Sequence, residues 1–176
     1  MTNGQLLPSL ETPWIELTSY GIPKVNDYFR TDKDRMFIQL PIQTETELHN
    51  VLTNIDTLMQ TEEMQNKLFQ DNKGYTYKTI IKQSKNDNYP ASMKVKLMSD
   101  QDNNVCTEIY EGSKQLKVQT IDEACKAIPY KSEVKLLLKI SKVWVLNKTY
   151  GITIKAHKIR FKQAIQEKPK HEFLDD

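Results

Sequence analysis

The sequence predicts a mainly β domain of the α+β class, built as a small closed or partly open β-barrel with helical additions. From Gly74 onward, apolar and polar residues alternate with a period of two, which is the pattern of half-buried strands. Before that point, residues 48–59 have the three-and-four spacing of an amphipathic helix. At 176 residues, the chain is long enough for one such domain to bury a core.

The chain is expected to begin with an irregular N-terminal arm over residues 1–33, which are rich in Pro, Gly and Asp. A single domain should then occupy residues 34–163. Its first strand is predicted between Arg35 and Ile42. Because Pro41 lacks a backbone N–H group, it indicates an edge position or the end of this strand.

A helical insertion is predicted at about residues 44–70. Thr44 and Glu47 have the spacing of a capping box, and Thr61 is positioned to cap a second short helix. His49 is predicted to be a surface or packing residue, because no second metal ligand lies at helical spacing from it. The buried stripe of the first helix is expected to contain Leu48, Val51, Leu52, Ile55, Leu58 and Met59.

Three strand segments are predicted to follow the insertion. Residues 75–81 alternate in polarity, and residues 93–97 alternate with lysines directed outward. The polar run 99–104 predicts a turn. Residues 105–110 would then return as the partner strand of residues 93–97.

The last third of the chain predicts a short helix and a long hairpin. A capping box beginning at Thr120 indicates a helix at about 120–128. A long strand over 134–146 follows, and its alternation slips near Ser141, where a bulge would bend it. After a turn, residues 152–161 are predicted to form the final strand.

The formal net charge of +2 conceals two regions of opposite sign. Residues 1–73 contain 6 Lys+Arg and 11 Asp+Glu, whereas residues 74–176 contain 19 and 12. Residues 126–162 alone contain ten basic residues and one acidic residue. A concentrated cationic segment is typical of proteins that bind polyanions, although a solvated, lysine-rich sheet face would give the same pattern.

Sequence motifs for catalysis, metals and cofactors are absent. The chain has no phosphate-binding loop, no zinc-protease helix, no serine-hydrolase elbow and no Cys/His ligand cluster. Asp100, Asp102, Asn104 and Glu111 have the spacing of a calcium loop, but Val105 stands where that loop requires Gly. The sequence therefore predicts a hairpin turn there, and a protein that is not an enzyme and holds no cofactor.

The sequence favours an intracellular, reducing compartment and no membrane partner. There is no apolar run of 18 residues, and no basic start followed by an apolar stretch. Cys106 and Cys125 show no CxxC spacing and are too few for a disulfide framework.

The functional signal is a set of lysines interleaved with aromatic residues on predicted strands. Ammonium groups along a path neutralise phosphates, and aromatic rings stack on bases. After residue 73 there are eighteen Lys and one Arg, which favours contacts with the nucleic-acid backbone over base reading. Trp144 is expected to be buried. The predicted nucleic-acid-binding residues are Lys94, Lys96, Lys135, Lys139, Lys142, Lys155, Lys158, Arg160, Tyr75 and Tyr77.

Two stretches carry a resemblance to a known family. Residues 93–97, and residues 134–146 followed by the Tyr-Gly-aliphatic strand at 150–155, resemble the single-stranded DNA-binding proteins of nucleocytoplasmic large DNA viruses. Those proteins are in turn similar to the OB-fold binding proteins of short-tailed phages. The resemblance covers about residues 91–162. It implies an OB-like barrel with a groove for single-stranded DNA, and an acidic tail that recruits replication proteins.

Residues 164–176 are predicted to form a flexible tail that is both acidic and apolar at its end. Phe173, Leu174, Asp175 and Asp176 would compete with nucleic acid for the cationic groove or bind a partner protein. The tail ends in two aspartates, whereas the tails of the family end in an aromatic residue.

The sequence therefore predicts a sequence-independent binding protein for single-stranded DNA, or RNA, that acts in viral DNA replication, recombination or repair. It would act in the host-cell cytoplasm or in the virion. The alternative is a virion-associated structural or assembly protein that binds protein partners through the block at 44–70. A third hypothesis is a metal-dependent nuclease that uses Asp32, Asp34 or the acids at 100–111. The oligomeric state is left open.

Overall fold

A computed structural model describes residues 9–70 and 74–164, and within them ten strands form one mixed sheet accompanied by four helices. The mainly β class is confirmed. The strands are β1 (Ser9–Glu11), β2 (Ile15–Glu16), β3 (Phe37–Ile42), β4 (Thr76–Lys78), β5 (Ile81–Lys82), β6 (Ala91–Leu97), β7 (Glu108–Glu111), β8 (Lys114–Leu116), β9 (Glu133–Leu146) and β10 (Thr149–Lys162). The helices are α1 (Asp32–Arg35), α2 (Glu47–Met59), α3 (Glu62–Leu68) and α4 (Ile121–Ala127).

The long strands β9 and β10 form the centre of the sheet. They pair antiparallel along almost their entire length. The register shifts twice, once where Ser141 is skipped on β9 and once where His157 is skipped on β10. The bulge predicted near Ser141 is therefore confirmed, and each bulge adds a local bend to the hairpin.

The second edge of β10 is shared among three parallel strands. It pairs with β4 at residues 149–151, with β6 at 155–156 and with β7 at 158–161. Strand β6 then pairs with β3 and β5, and β7 pairs with β8. Because one strand edge supplies three branches, the described strands form an open, branched sheet. The prediction of a small OB-like barrel is corrected on this point, since the sheet is not closed into a barrel.

The core lies on one face of the sheet, which we call the inner face. Alternate residues of β9 and β10 are fully buried there, and they pack against alternate residues of β3 and β6. Helix α2 covers part of the same face, because Leu52 and Ile55 line one apolar cleft with Leu138, Ile140 and Ile154. The helical insertion therefore packs on the core side of the sheet.

The helical insertion forms as predicted, with a shift at its start. Thr46 caps α2 instead of Thr44, because it directly precedes the first helical residue and its hydroxyl oxygen accepts a hydrogen bond from the backbone N–H of His49. Thr61 caps α3 as predicted. Leu58, which was expected in the buried stripe, is 54% exposed.

A buried carboxylate joins α2 to the following strands. Asp56 is 6% exposed and accepts hydrogen bonds from the Tyr77 hydroxyl (2.9 Å) and from the backbone N–H groups of Ile80 (2.8 Å) and Ile81 (3.3 Å). Since these two N–H groups bind the carboxylate instead of a neighbouring strand, the chain bends there. The single strand predicted over 75–81 is consequently divided into β4 and β5.

The segment predicted as an irregular arm contains two short strands. Strands β1 and β2 both pair antiparallel with the first half of β9. Thr12, between them, is 1% exposed and exchanges hydrogen bonds with the backbone of Leu136. The described part of this segment therefore covers one edge of the central hairpin.

The strand predicted over 105–110 pairs differently from the expectation. The Asp100 carboxylate accepts hydrogen bonds from backbone N–H groups within the 99–104 turn, as expected for a tight turn. The Thr107 hydroxyl then donates to the backbone carbonyl of Ala156, which directs the chain toward β10. As a result, β7 pairs with β10 and β8 instead of with β6.

Among the helices in the described part of the chain, none combines the length and apolar character needed to cross a membrane.

Candidate nucleic-acid interface

The face of the sheet opposite the core, which we call the outer face, gathers the predicted cations. On β6, Met93 and Val95 are buried while Lys94 and Lys96 are exposed. Residues opposite each other on paired strands point to the same side of a sheet. The registers of β6, β9 and β10 therefore bring all eight predicted cations to this face: Lys94, Lys96, Lys135, Lys139, Lys142, Lys155, Lys158 and Arg160.

Three of these lysines lie side by side on neighbouring strands, and we call them the lysine row. Lys155 on β10 is in register with Lys96 on β6 and with Lys139 on β9. Adjacent strands are about 4.8 Å apart, so the three backbone positions span about 10 Å. None of the three takes part in an ion pair with another residue of the described ranges.

Two other predicted cations are already paired with glutamates. Lys135 Nζ lies 2.7 Å from Glu11 Oε1, and Lys158 Nζ lies 3.1 Å from Glu108 Oε2. The hydrogen bond from Lys135 lowers the pKa of the Glu11 carboxyl. Hydrogen bonds from Tyr110 and then from Lys158 lower the pKa of Glu108. These exposed pairs contribute little stability, but a phosphate would have to compete with each glutamate.

A cavity of about 330 Å³ opens on the outer face where β10 has no strand partner. Strand β10 pairs with β4 up to Gly151 and with β6 from Lys155, so residues 152–154 face no described strand on that side. Of the described residues that line the cavity, none is Asp or Glu. We call this cavity the lysine pocket, and its wall includes Lys78, Lys82, Lys94, Lys96, Lys142 and Trp144.

The lysines of the pocket perturb one another. Partial burial lowers the pKa of Lys94, and the neighbouring ammonium groups of Lys82, Lys96 and Lys78 lower it further. Burial and then Lys78 lower the pKa of Lys82 in the same way. Lys94 Nζ is held 3.9 Å from the centroid of the Phe37 ring, a cation–π contact. An anion in the pocket would relieve this mutual repulsion.

Trp144 was expected to be buried, but it is half-buried at the wall of the lysine pocket. It pairs in register with Gly151 on β10. A Cβ atom on residue 151 would lie only 2.6 Å from the indole carbon Cζ2. The indole therefore approaches the backbone of β10 so closely that glycine is required opposite it.

The two tyrosines predicted to stack on bases do not lie on the outer face. Tyr77 is buried on the inner face, its hydroxyl donates to Asp56, and burial raises its pKa above the ordinary value. The ring of Tyr75 is stacked on Phe69, with centroids 3.9 Å apart and planes inclined by 5°. This prediction is corrected, because the helical insertion covers the face that both rings share.

Other residues complete the outer face. Lys78 and Lys82 were not among the predicted binding residues, and the alternation that identified Lys94 and Lys96 would have identified Lys78 as well. Tyr110 is half-buried and in register with Arg160, so it provides an aromatic ring at the end of the face away from the lysine pocket.

The predicted partner-binding residues Phe173, Leu174, Asp175 and Asp176 lie outside the described residues.

The acids considered for metal binding are engaged in local structure. Asp34 accepts hydrogen bonds from Thr31 at the start of α1, and Asp32 lies 3.5 Å from Arg35. Across residues 9–70 and 74–164, no three His, Cys, Asp or Glu side chains are grouped so that they could hold a metal ion.

No protein-family model matches this chain, and no curated protein matches it.

Proposed function

We propose that the protein binds single-stranded DNA without sequence preference, through the outer face, and that it acts in viral DNA replication, recombination or repair. The observation that carries the proposal is the lysine row, because three neighbouring strands contribute one unpaired ammonium group each at the same height of the sheet. Point charges of this kind neutralise phosphates and do not distinguish bases. The sequence resemblance to viral single-stranded DNA-binding proteins of the OB fold points to the same ligand.

The arrangement of charge supports a path along the central hairpin. From Lys142, beyond the bulge, to Lys135 the outer face of β9 extends over seven residues, or about 23 Å. The lysine row crosses this path near its middle. Trp144 and Tyr110 stand near its two ends, where each could stack on a base. A strand of several nucleotides would therefore contact both cations and aromatic rings.

The position of the helical insertion also favours nucleic-acid binding. Helices α2 and α3 pack against the inner face, where Tyr150 donates a hydrogen bond to the backbone carbonyl of Met59. Neither of these two helices therefore covers the lysine row, and a strand could approach it from the outer face.

The test is a fluorescence-anisotropy titration of the full chain with a labelled single-stranded DNA of about 20 nucleotides. We expect a micromolar or lower Kd at low salt, and an affinity that falls steeply as salt is raised. Duplex DNA and single-stranded RNA of the same length serve as comparisons. The absence of binding to single-stranded DNA at low salt would contradict the proposal.

A second function, in virion structure or assembly, is favoured by a different observation. Val143, Val145 and Leu146 at the end of β9 are 38%, 51% and 66% exposed. Beyond residue 140, the described strands pair with β9 only on its β10 side. An apolar strand with one free edge could pair with a second copy of this chain. Light scattering that gives a dimer, and a monomer for the variant Val145→Lys, would support this function; a monomer in both would exclude it.

A further inference from the structure

The lysine pocket has more positive charge than a passing DNA strand requires. Five lysines line one cavity of about 330 Å³, and none of them forms an ion pair within the described ranges. A phosphodiester backbone carries one negative charge per nucleotide, spread along the strand, whereas a triphosphate gathers one charge on each inner phosphate and up to about two on its terminal phosphate within a single compact group. A compact group of several phosphates would therefore match this concentration of charge better than a continuous strand does.

The pocket is built from strands, which fix the backbone positions of its lysines. Lys78 comes from β4, Lys82 from β5, Lys94 and Lys96 from β6, and Lys142 from β9. These strands meet where the edge of β10 is left open, so the five lysines line one concavity. A site on sheet strands loses less conformational freedom on binding than a site on loops.

The same lysines are costly to keep together without an anion. Lys94 and Lys82 are partly desolvated and are repelled by neighbouring lysines, which is why the pKa of each is lowered. A multivalent anion would supply the missing opposite charge and would raise both pKa values. The half-buried indole of Trp144 on the same wall could contact a nucleoside attached to the phosphates.

We propose that the lysine pocket binds a compact polyphosphate group, as carried by a nucleoside triphosphate or by the 5′-triphosphate end of a nucleic-acid strand. Four strands, β4, β5, β6 and β9, supply its cations. The described lining has no carboxylate to hold Mg²⁺, so the ammonium groups themselves would neutralise the phosphates. Excess Mg²⁺ would then compete with the pocket for the ligand and weaken binding. The pocket shares Lys96 with the lysine row and Lys142 with the path along β9, so a DNA strand and a polyphosphate would compete for these two residues.

The test is isothermal titration calorimetry of the full chain with sodium tripolyphosphate and with orthophosphate. We expect tripolyphosphate to bind at least about tenfold more tightly than orthophosphate. The variant Lys78→Ala/Lys82→Ala should lose at least about tenfold in tripolyphosphate affinity, because it removes two of the five lysines that line the pocket. The control Lys33→Ala/Lys114→Ala removes the same charge from exposed positions elsewhere and should change the affinity by less than about twofold.

The source of the polyphosphate is distinguished by two further ligands. ATP binding more tightly than tripolyphosphate would assign a free nucleotide, and tighter binding of a 5′-triphosphorylated RNA 20-mer would assign a strand end; both outcomes support the proposal. Equal affinity for tripolyphosphate and orthophosphate, or an unchanged affinity in Lys78→Ala/Lys82→Ala, would overturn it. A 20-mer with a 5′-hydroxyl end reports on the proposed DNA-binding function separately, so that either proposal can fail while the other stands.

Discussion

Replacing Lys139 and Lys155 with alanine removes two unpaired ammonium groups from the lysine row, and it breaks no ion pair within the described part of the chain. If each contacts one phosphate, each releases counterions from single-stranded DNA. The slope of log K against log salt should then decrease by about 0.7 for each lysine, or about 1.4 for the double variant. The fold should be retained, since both side chains are only half-buried on the face away from the core.

The matched control is Lys135→Ala/Lys158→Ala, which removes the same charge from the same two strands. Each of these lysines already has a glutamate within 3.1 Å. It therefore neutralises a DNA phosphate less completely, and fewer counterions are released from the DNA. For this control variant we expect the slope of log K against log salt to change by less than about 0.7 in total. Anisotropy titrations between about 50 and 200 mM salt measure both slopes. Equal changes in the two variants, or no change in Lys139→Ala/Lys155→Ala, would refute the distinction between paired and unpaired lysines.

Three further predictions concern a buried carboxylate, a glycine contact and two ion pairs of the sheet. Asp56→Ala leaves two backbone N–H groups and one hydroxyl without their acceptor. Urea unfolding should therefore show a free energy of unfolding that is lower by about 3 kcal/mol, and the decrease should be smaller for Asp56→Asn. Gly151→Ala should displace the indole of Trp144, which would change its fluorescence and lower the free energy of unfolding by about 1–3 kcal/mol; an unaltered spectrum would contradict the observed contact. The lowered pKa values of Glu11 and Glu108 mean that their ion pairs stabilise the fold above the ordinary Glu pKa, and that this stabilisation is lost as pH falls through the lowered values. Glu11→Gln/Glu108→Gln should therefore make Tm depend less on pH in the acid range. The same variant frees two lysines, so it should bind single-stranded DNA more tightly at neutral pH. Weaker binding would count against competition between glutamate and phosphate.

The cations of the outer face could be predicted from sequence because strand periodicity fixes the side on which a residue lies. Lys94 and Lys96 alternate with buried Met93 and Val95, and this pattern needs no knowledge of the tertiary structure. The slip near Ser141 was visible for the same reason, since a bulge interrupts the alternation.

Other features depend on partners that are distant in the sequence. Glu11 neutralises Lys135 across more than a hundred residues, which no local pattern reveals. Tyr77 has the alternation of a surface strand, yet Asp56 and the helical insertion bury it. Barrel closure likewise depends on how β10 divides its edge among three partners, and the alternation of a single strand does not specify its neighbours.

If single-stranded DNA lies on the outer face, the residues that it contacts can be mapped one by one. The measurement compares two-dimensional amide NMR spectra of the ¹⁵N-labelled full chain with and without an unlabelled single-stranded DNA of about 20 nucleotides. Residues whose signals shift mark the contact surface. We expect the largest shifts in β6, β9 and β10 around Lys96, Lys139 and Lys155, with little change in α2 and α3. Shifts concentrated in the helical insertion or at Val145 and Leu146, with the lysine row unaffected, would contradict this expectation.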